Sequence, residues 1–286
     1  HLAIRYICCE PASDSGLDAM AVHALGQKVA APKRYAPDIL EAISRREGRE
    51  ALGPAPKSMV GHDCWHLYEL SWLNLRNEPQ HCVGVLLVDS ASPATIESKS
   101  LKLYLNSLNF HCFASEAQAC EVICGDIGRV TQSDVSLTVL PPDGLGAITR
   151  EPEGVLLEAH PHQSDHTPMQ SPWCDSGGDI LDATYVSHRL RSLCPVTAQP
   201  DWGTLVIDYR GRPINHHRLL GFIESFREHQ EFHEQCVERC FYEVMKQTNA
   251  ESLRVSAFYQ RRGGIDITPV RSNHRVVPEL WRMGRQ

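Results

Sequence analysis

One order of secondary-structure signals occurs twice in this 286-residue chain, and it constrains the fold more than any other feature. From residue 64 to residue 159 the apolar patterns predict strand, strand, helix, helix, strand, strand. Residues 182 to 259 again predict strand, strand, helix, helix, strand, and a short turn then leads to another apolar segment. Antiparallel strands grouped apart from helices are typical of α+β folds. The sequence therefore predicts two related α+β modules in tandem, with antiparallel sheets and helices packed on one face.

Interruptions of this pattern predict the domain boundaries. Residues 1–60 are rich in Ala, Pro, Gly and charge and end near the breaker sequence ALGPAPKS, so we expect an N-terminal arm with one helix over 37–49. Residues 61–160 are expected to form the first module, 161–180 a linker loop, and 181–286 the second module. Within the first module, the strand at 154–159 is expected to pair with the strand at 134–140.

Composition limits the possible partners and compartments. The formal net charge of -7 and a pI near 6.1 give no extended basic surface, so direct binding of nucleic acid is not expected. The 11 cysteines are odd in number and have no recurring spacing, which predicts free thiols in a reducing, cytoplasmic setting. The first residues do not form a signal-peptide core, and no apolar run approaches the roughly 20 residues that a membrane span needs.

The segment LRSLCPVTAQPDWG at residues 190–203 combines a cysteine with a carboxylate in a turn-rich stretch. Pro195 and Pro200 fix φ and favour extended conformations in the residues before them, so the segment is predicted to be a rigid loop. The thiol of Cys194 can attack an electrophilic carbon, and Asp201 can supply a proton. A buried structural cysteine beside a turn-forming aspartate is the alternative interpretation of the same residues.

Two histidine-containing segments have side chains of the types that bind metals. In one, the ligand types follow one another at helical intervals, as His229, His233, Cys236 and Cys240. A straight helix spreads them over about 16 Å, too far for one tetrahedral ion. The linker at 160–180 has three histidines without regularly spaced acidic or thiol partners. We therefore predict no metal site, and the absence of a complete dinucleotide fingerprint means that any nucleotide must bind by another device.

Four motifs occur together in a specific order: ESKSLKLY at 97–104, CPVTAQPD at 194–201, EFHEQC at 231–236 and RRGGID at 261–266. In this combination the chain resembles the NADPH-dependent 7-cyano-7-deazaguanine reductases of queuosine biosynthesis, in their longer two-module bacterial form. The resemblance extends from about Gly61 to Asn273. It implies tandem tunnelling-fold (T-fold) modules that associate as a homodimer, and the reduction of a small-molecule nitrile to a primary amine with two NADPH.

The resemblance also implies roles for individual residues. Cys194 would add to the nitrile carbon to give a thioimide, Asp201 would donate the proton to the nitrile nitrogen, and His233 would continue the proton relay. The residues implied for substrate binding are Thr95, Ile96, Glu97, Phe232, His233 and Glu234. Those implied for NADPH binding are Ser98, Lys99, Arg262 and Gly263, with Lys102 as a further phosphate partner.

Two other functions are compatible with parts of this pattern. A zinc-dependent cyclohydrolase of the same fold would share recognition of a purine-like ring by a glutamate, but it requires a convergent Cys/His set. A non-enzymatic purine- or pterin-binding module would require Cys194 to be structural. Covalent adduct formation before NADPH is added distinguishes the reductase from both.

Overall fold

The computed structural model describes residues 31–54, 58–160, 173–174 and 178–286. The strands are β1 (Ala42–Ser44), β2 (Val60–Leu73), β3 (Pro79–Asp89), β4 (Ala94–Ile96), β5 (Val135–Leu140), β6 (Val155–Leu156), β7 (Leu181–Leu193), β8 (Pro200–Gly211), β9 (Ser252–Tyr259) and β10 (Ile265–Ser272). The α-helices are α1 (Arg45–Glu50), α2 (Ser98–Leu108), α3 (Glu116–Thr131), α4 (Leu145–Ile148), α5 (His216–Glu224) and α6 (His233–Thr248). Short 3-10 helices span Pro37–Ile39, Leu157–Ala159 and Ser225–Glu228.

The chain divides into two compact units, each assembled from three segments. Unit 1 consists of the described part of His1–Glu47 together with Asp63–Ile148 and Arg261–Asp266. Unit 2 consists of the described parts of Gly48–His62 and Thr149–Gln260 together with Ile267–Gln286. The α+β class is confirmed, while the division into modules at residues 60, 160 and 180 stays a prediction.

Unit 1 contains the strand order β5-β3-β2 and the helices α2 and α3. β3 and β5 run antiparallel, with Val83 opposite Leu140. The predicted helical spacing in α2 is confirmed, because its leucines at 101, 105 and 108 are all buried. α3 extends to Thr131, beyond the predicted end near residue 124, and packs against β5 and β4.

A buried polar group joins the third segment of unit 1 to β2. The Nδ1 atom of His66 lies 2.6 Å from Oδ1 of Asp266, and both side chains are excluded from solvent. The hydroxyl of Tyr68 donates to the other carboxylate oxygen of Asp266. Because Asp266 closes the short segment Arg261–Asp266, this segment is fixed to unit 1 through side chains as well as through the backbone bond from Tyr68 N–H to Gly264 O.

The helix predicted over 37–49 is present only at its two ends, as the 3-10 helix Pro37–Ile39 and as most of α1. Residues 42–44 form β1 instead, antiparallel to β4 with Ala42 opposite Ile96. The backbone N–H of Glu41 donates to Ser100 Oγ at 3.0 Å, and Glu97 N–H donates to Glu41 O at 2.9 Å. Pairing with β4 satisfies backbone groups that a local helix would have used, and such tertiary contacts override weak helix propensity.

Unit 2 contains the strand order β10-β9-β8-β7-β6. The long pair β7–β8 is antiparallel, and β8 is antiparallel to β9. The order strand, strand, helix, helix, strand predicted over residues 182–259 occurs as β7, β8, α5, α6 and β9. The register of β7 with β8 shifts between Ser187 and Leu190, which marks a β-bulge.

The expected pairing of 154–159 with 134–140 is wrong. The short strand β6 lies parallel to β7, with Val155 opposite Tyr185. Just beyond β6, a carboxylate oxygen of Glu158 accepts hydrogen bonds from the hydroxyl of Ser187 at 3.0 Å and from the backbone N–H of His188 at 2.5 Å. The bulge exposes these donors, and Glu158 anchors β6 to them.

A buried cluster of charged side chains stabilises unit 2. Glu238 on α6 accepts from Arg49 Nε and from Arg271 Nε, each at 2.9 Å. Glu238 and Arg271 are almost completely excluded from solvent. Burial acts to raise the pKa of the Glu238 carboxyl group, but the charge of Arg271 and the hydrogen bond and charge of Arg49 outweigh it, so the pKa is lowered.

Across the described ranges, no helix is long and apolar enough to cross a membrane.

Candidate active site

Cys194 lies in a closed turn between β7 and β8. Its backbone N–H donates to Gln199 O at 2.9 Å, and its carbonyl accepts from Ala198 N–H at 2.9 Å. Ala198 adopts a left-handed conformation with φ of 53°, which completes the reversal of the chain. The side chain of Cys194 is only 7% exposed. The turn predicted from the two prolines is thus present, and it fixes the backbone of the proposed nucleophile.

Asp201 and His233 are brought together in unit 2. Asp201 is the second residue of β8, and His233 is the first residue of α6. The Nε2 atom of His233 lies 3.1 Å from Oδ2 of Asp201, and their side chains are 12% and 8% exposed. In the described part of the chain, Nε2 is buried and makes no hydrogen bond of good angle, so the two side chains are in close contact without a hydrogen bond between them. The two atoms are close enough for a proton to be exchanged between them.

Backbone contacts hold the start of α6 beside the end of β7. Leu193 N–H donates to His229 O at 2.8 Å, and Leu193 also bridges to Gln230. Phe232 is the N-cap residue of α6, and its backbone N–H donates to Gln235 Oε1 at 3.2 Å. The residue before Cys194 is therefore bonded to the segment that leads into His233.

The first turn of α6 carries three of the residues implied by the resemblance: Phe232, His233 and Glu234. Phe232 is half-buried, whereas Glu234 is only 5% exposed. A carboxylate in the first turn of a helix is stabilised by the unpaired N–H groups and the helix dipole. The position of Glu234 therefore favours a carboxylate side chain.

Sequence reasoning missed Tyr259. Its ring stacks on the imidazole of His233, with the ring centroids 4.0 Å apart and an angle of 33° between the planes. Tyr259 ends β9 directly opposite Gly203 on β8. A glycine inside a strand often marks a close approach by a neighbour. Gly203 was therefore the available signal for a bulky partner at this place.

The two cysteines of α6, Cys236 and Cys240, are completely buried. Burial is the main reason that the pKa of Cys236 is raised to about 12, and burial raises the pKa of Cys240 well above its ordinary value. α6 begins at His233, so His229 precedes the helix. The expectation that the residues at 229, 233, 236 and 240 follow one another along a single helix is therefore wrong. No group of three or more His, Cys, Asp or Glu side chains in the described ranges is arranged to hold a metal. The linker histidines at 162 and 166 lie outside those ranges.

In unit 1, the three residues implied for the substrate follow one another at the end of β4. Thr95 and Ile96 are almost completely buried, and Glu97 is 5% exposed. Glu97 is also the N-cap of α2, because its carboxylate accepts from the backbone N–H groups of Lys99 at 2.9 Å and Ser100 at 2.6 Å. These bonds fix the carboxylate and leave lone pairs for a further donor.

The residues implied for NADPH lie on two segments of unit 1. Ser98 and Lys99 open α2, and Lys99 is exposed. Lys102 Nζ donates to Gly263 O at 2.7 Å, which ties α2 to the turn containing Arg262. Gly263 has a φ of 61°, a conformation that favours glycine. The exposed cations at the start of α2 and in this turn have the chemistry that phosphate groups require.

Comparison with known proteins gives family matches over both halves of the chain. Residues 31–139 match the family described as "Nitrile reductase, 7-cyano-7-deazaguanine-reductase N-term". Residues 200–277 match the family described as "QueF-like protein". A solved structure titled as the archaeosine synthase QueF-Like in the apo form has 15% sequence identity and a TM-score of 0.30, and the match covers 36% of this chain and 100% of that one.

Full-length relatives are more similar. The NADPH-dependent 7-cyano-7-deazaguanine reductase of Acinetobacter baylyi is 41% identical over 266 residues, which cover 92% of this chain and 97% of the relative. A protein of the same name from Acinetobacter baumannii is 40% identical over 271 residues, with the same coverage. Identity at this level over almost the whole of both chains shows that the chain belongs to the family of NADPH-dependent 7-cyano-7-deazaguanine reductases.

Proposed function

We propose that this protein reduces the nitrile of 7-cyano-7-deazaguanine to the aminomethyl group of 7-aminomethyl-7-deazaguanine, in the biosynthesis of queuosine. Family membership supports the substrate and the use of NADPH. The structural observation that carries the proposal is the 3.1 Å contact between Asp201 and His233. Asp201 lies on the strand that follows the Cys194 turn, and the segment before His233 is bonded to Leu193, which precedes the turn. A nucleophile, a proton donor and a second acid–base group are the parts that such a reaction needs.

The first step is addition of the Cys194 thiol to the nitrile. The sulfur forms a bond to the nitrile carbon, one π bond of the nitrile breaks, and its electron pair goes to nitrogen. Asp201 delivers a proton to that nitrogen and is restored by the proton of the thiol, so that a neutral thioimide results. The low exposure of Cys194 and Asp201 keeps water from competing for the electrophilic carbon.

His233 serves the reduction that follows. When bound, NADPH supplies the hydrides, two for each nitrile converted to an amine. The nitrogen of the substrate then needs protons, and the bond between Cys194 and carbon must break with return of the electron pair to sulfur. The imidazole of His233, beside Asp201, passes protons to this site and takes them up again between the two reductions.

Substrate recognition is assigned to the residues that the resemblance implies. The deazaguanine ring presents N–H donors, which suit the carboxylates of Glu97 and Glu234. Phe232 provides an apolar surface for the ring, and the backbone at Thr95 and Ile96 completes the recognition. The capping bonds of Glu97 support this assignment, because a carboxylate held by two backbone N–H groups is oriented before the ligand arrives.

Binding of NADPH is assigned to Ser98, Lys99, Arg262 and Gly263, with help from Lys102. The bond from Lys102 to Gly263 O supports this assignment because it places a cation against the glycine turn. The left-handed glycine permits close approach of a phosphate to the backbone, and Ser98 adds a hydroxyl donor.

The proposed assembly is a homodimer of chains that each contain two T-fold modules, with 61–160 as the first module and 181–286 as the second. The mixed α+β elements and their antiparallel sheets are consistent with this fold. A thiol nucleophile must stay reduced, which suits the cytoplasm. The acidic net charge of -7 supports a small-molecule substrate rather than direct contact with tRNA.

The proposal is tested by incubating the purified protein with 7-cyano-7-deazaguanine in the absence of NADPH. Intact-protein and peptide mass spectrometry should show an adduct of one substrate on Cys194. Addition of NADPH should then release the amine and consume two NADPH per product. Failure to form the adduct in an active enzyme would overturn the covalent mechanism, and stoichiometric zinc in the purified protein with no nitrile reduction would favour a cyclohydrolase.

A further inference from the structure

We infer that Tyr259 is a positioning residue for the reaction, which acts by holding the imidazole of His233 against Asp201. The inference rests on the proposed function. It assigns no chemical step to Tyr259 itself, and it concerns only residues of unit 2.

The first observation is the ring stack. The centroids of the Tyr259 and His233 rings are 4.0 Å apart and their planes are inclined by 33°, so the phenol ring covers one face of the imidazole. His233 makes no well-angled hydrogen bond through Nε2 to other residues that the structure describes, so hydrogen bonding through this atom does not fix the ring. Packing against Tyr259 therefore limits rotation of the imidazole about its side-chain bonds.

The second observation is that Tyr259 itself is rigidly held. It is 1% exposed, and it lies opposite Gly203 in the antiparallel pair of β8 and β9. The next residue, Gln260, donates its backbone N–H to Trp202 O at 2.9 Å, which continues the pairing beyond the strand. Tyr259 thus belongs to the same sheet as Asp201. The two residues that contact the His233 ring are therefore held in a fixed position relative to each other.

The third observation is the space that Gly203 leaves. A Cβ atom added at Gly203 would lie 3.3 Å from Cδ1 of Tyr259 and 3.3 Å from the carbonyl oxygen of Phe258. These distances are tighter than ordinary van der Waals contact. The glycine therefore lets the Tyr259 ring lie close to β8, on which Asp201 also lies.

The hydroxyl of Tyr259 does not explain the residue's position. Burial raises the pKa of Tyr259 well above its ordinary value, and the hydroxyl interacts with Cys236 and Ser192. None of these contacts has full hydrogen-bond geometry within the described ranges. Because the phenol stays protonated and is poorly bonded, the ring rather than the hydroxyl is the functional part.

The test compares Tyr259→Phe, which keeps the ring, with Tyr259→Leu, which removes it. Two rates are measured: adduct formation on Cys194 without NADPH, and kcat for NADPH consumption. We expect Tyr259→Leu to form the adduct at nearly the normal rate and to lose about 100-fold in kcat, since small errors in the placement of a catalytic group cost about that much. Tyr259→Phe should retain most of the kcat.

A double variant separates positioning from folding. If Tyr259 acts through His233, then adding Tyr259→Leu to His233→Gln should lower kcat no further than His233→Gln alone. The matched control is Tyr209→Leu, because Tyr209 is a similarly buried tyrosine on β8 whose ring packs on Tyr185. This control should leave kcat close to that of the unmodified protein.

The outcomes distinguish the inference from the proposed function. If the unmodified protein forms no adduct, the proposed function fails first. If it forms the adduct and turns over, the inference is overturned by a normal kcat in Tyr259→Leu, by equal losses in Tyr259→Phe and Tyr259→Leu, or by additive losses in the double variant. Should Tyr259→Leu fail to fold, the unmodified protein offers an independent test: the imidazole protons of His233 should be shifted upfield by the Tyr259 ring in NMR spectra. Unshifted resonances would overturn the stack.

Discussion

Ser192 and Asp201 are register partners across the β7–β8 hairpin. Ser192 lies two residues before Cys194, and Asp201 is the second residue of β8. The thiol-bearing turn and the proton donor are therefore fixed by the same backbone ladder. Substitutions of Cys194 and Asp201 should alter the chemistry with little effect on the fold, because the backbone hydrogen bonds of the turn involve no side chain. Single substitutions at this hairpin are thus informative about mechanism.

Replacing Cys194 by alanine should abolish both the adduct and NADPH-dependent turnover, because the proposed thioimide forms on this thiol. The measurements are the mass of the adduct and the oxidation of NADPH. The oxidation is followed at about 340 nm, where a reduced nicotinamide absorbs. Cys112 is an exposed cysteine of unit 1, so Cys112→Ala is the control and should behave normally. Turnover by Cys194→Ala would exclude the covalent route.

Replacing Asp201 by asparagine should slow adduct formation by about 100-fold or more, the usual contribution of a positioned acid or base. Asparagine keeps the shape of the side chain but cannot deliver the proton to the nitrile nitrogen. Stopped-flow measurement of the adduct tests this directly. Glu158 also lies in unit 2 but serves the bulge of β7, so Glu158→Gln should affect stability more than adduct rate. Fast adduct formation by Asp201→Asn would assign the proton to another donor.

Replacing Lys99 by alanine should raise the KM for NADPH roughly tenfold, the loss expected for one exposed charged contact worth about 1.4 kcal/mol. Adduct formation without NADPH should be unchanged, and steady-state kinetics together with adduct rates separate the two effects. Lys246→Ala provides a control, because Lys246 is an exposed lysine on α6 whose side chain is paired only loosely with Glu243, at 3.8 Å. Equal losses of adduct formation and turnover in Lys99→Ala would show that Lys99 serves the fold or the substrate.

Replacing Glu238 by glutamine should lower the free energy of unfolding at pH 7 by about 3 kcal/mol, because it leaves the charge of Arg271 buried without its counter-ion. The folded pKa of Glu238 lies below its ordinary value of 4.5, so its contribution is complete above that pH and is lost as the pH falls through the folded pKa. Denaturant unfolding at several pH values should show the difference between the two proteins shrinking in acid. A constant difference down to the lowest pH would contradict this account.

Local patterns predicted most of the fold because the signals were strong where the elements are long. β7, β8 and β9 have high strand propensity, and the leucines of α2 follow helical spacing. The prediction failed where distant side chains decide the outcome: residues 42–44 pair with β4, and β6 is anchored through Glu158 to a bulge that the sequence does not reveal. Short segments carry too few residues for their own periodicity to compete with such contacts.

The site divides in the same way. Motif resemblance indicated Cys194, Asp201 and His233, and the structure shows the close approach of the last two. Tyr259 escaped notice because an aromatic residue at the end of a strand is ordinary by composition, and only its position opposite Gly203 gives it a role. The role of Glu97 in binding the substrate stays a prediction.

The discontinuous composition of unit 1 has a consequence for the order of events during synthesis. Its buried His66 and half-buried Tyr68 both contact Asp266, which follows Thr149–Gln260 of unit 2 along the chain. The ribosome therefore synthesises most of the second unit before the first can be completed, although domains usually fold in the order of their translation. Until Asp266 has been synthesised, His66 and Tyr68 cannot form the contacts with its carboxylate that they make in the folded unit.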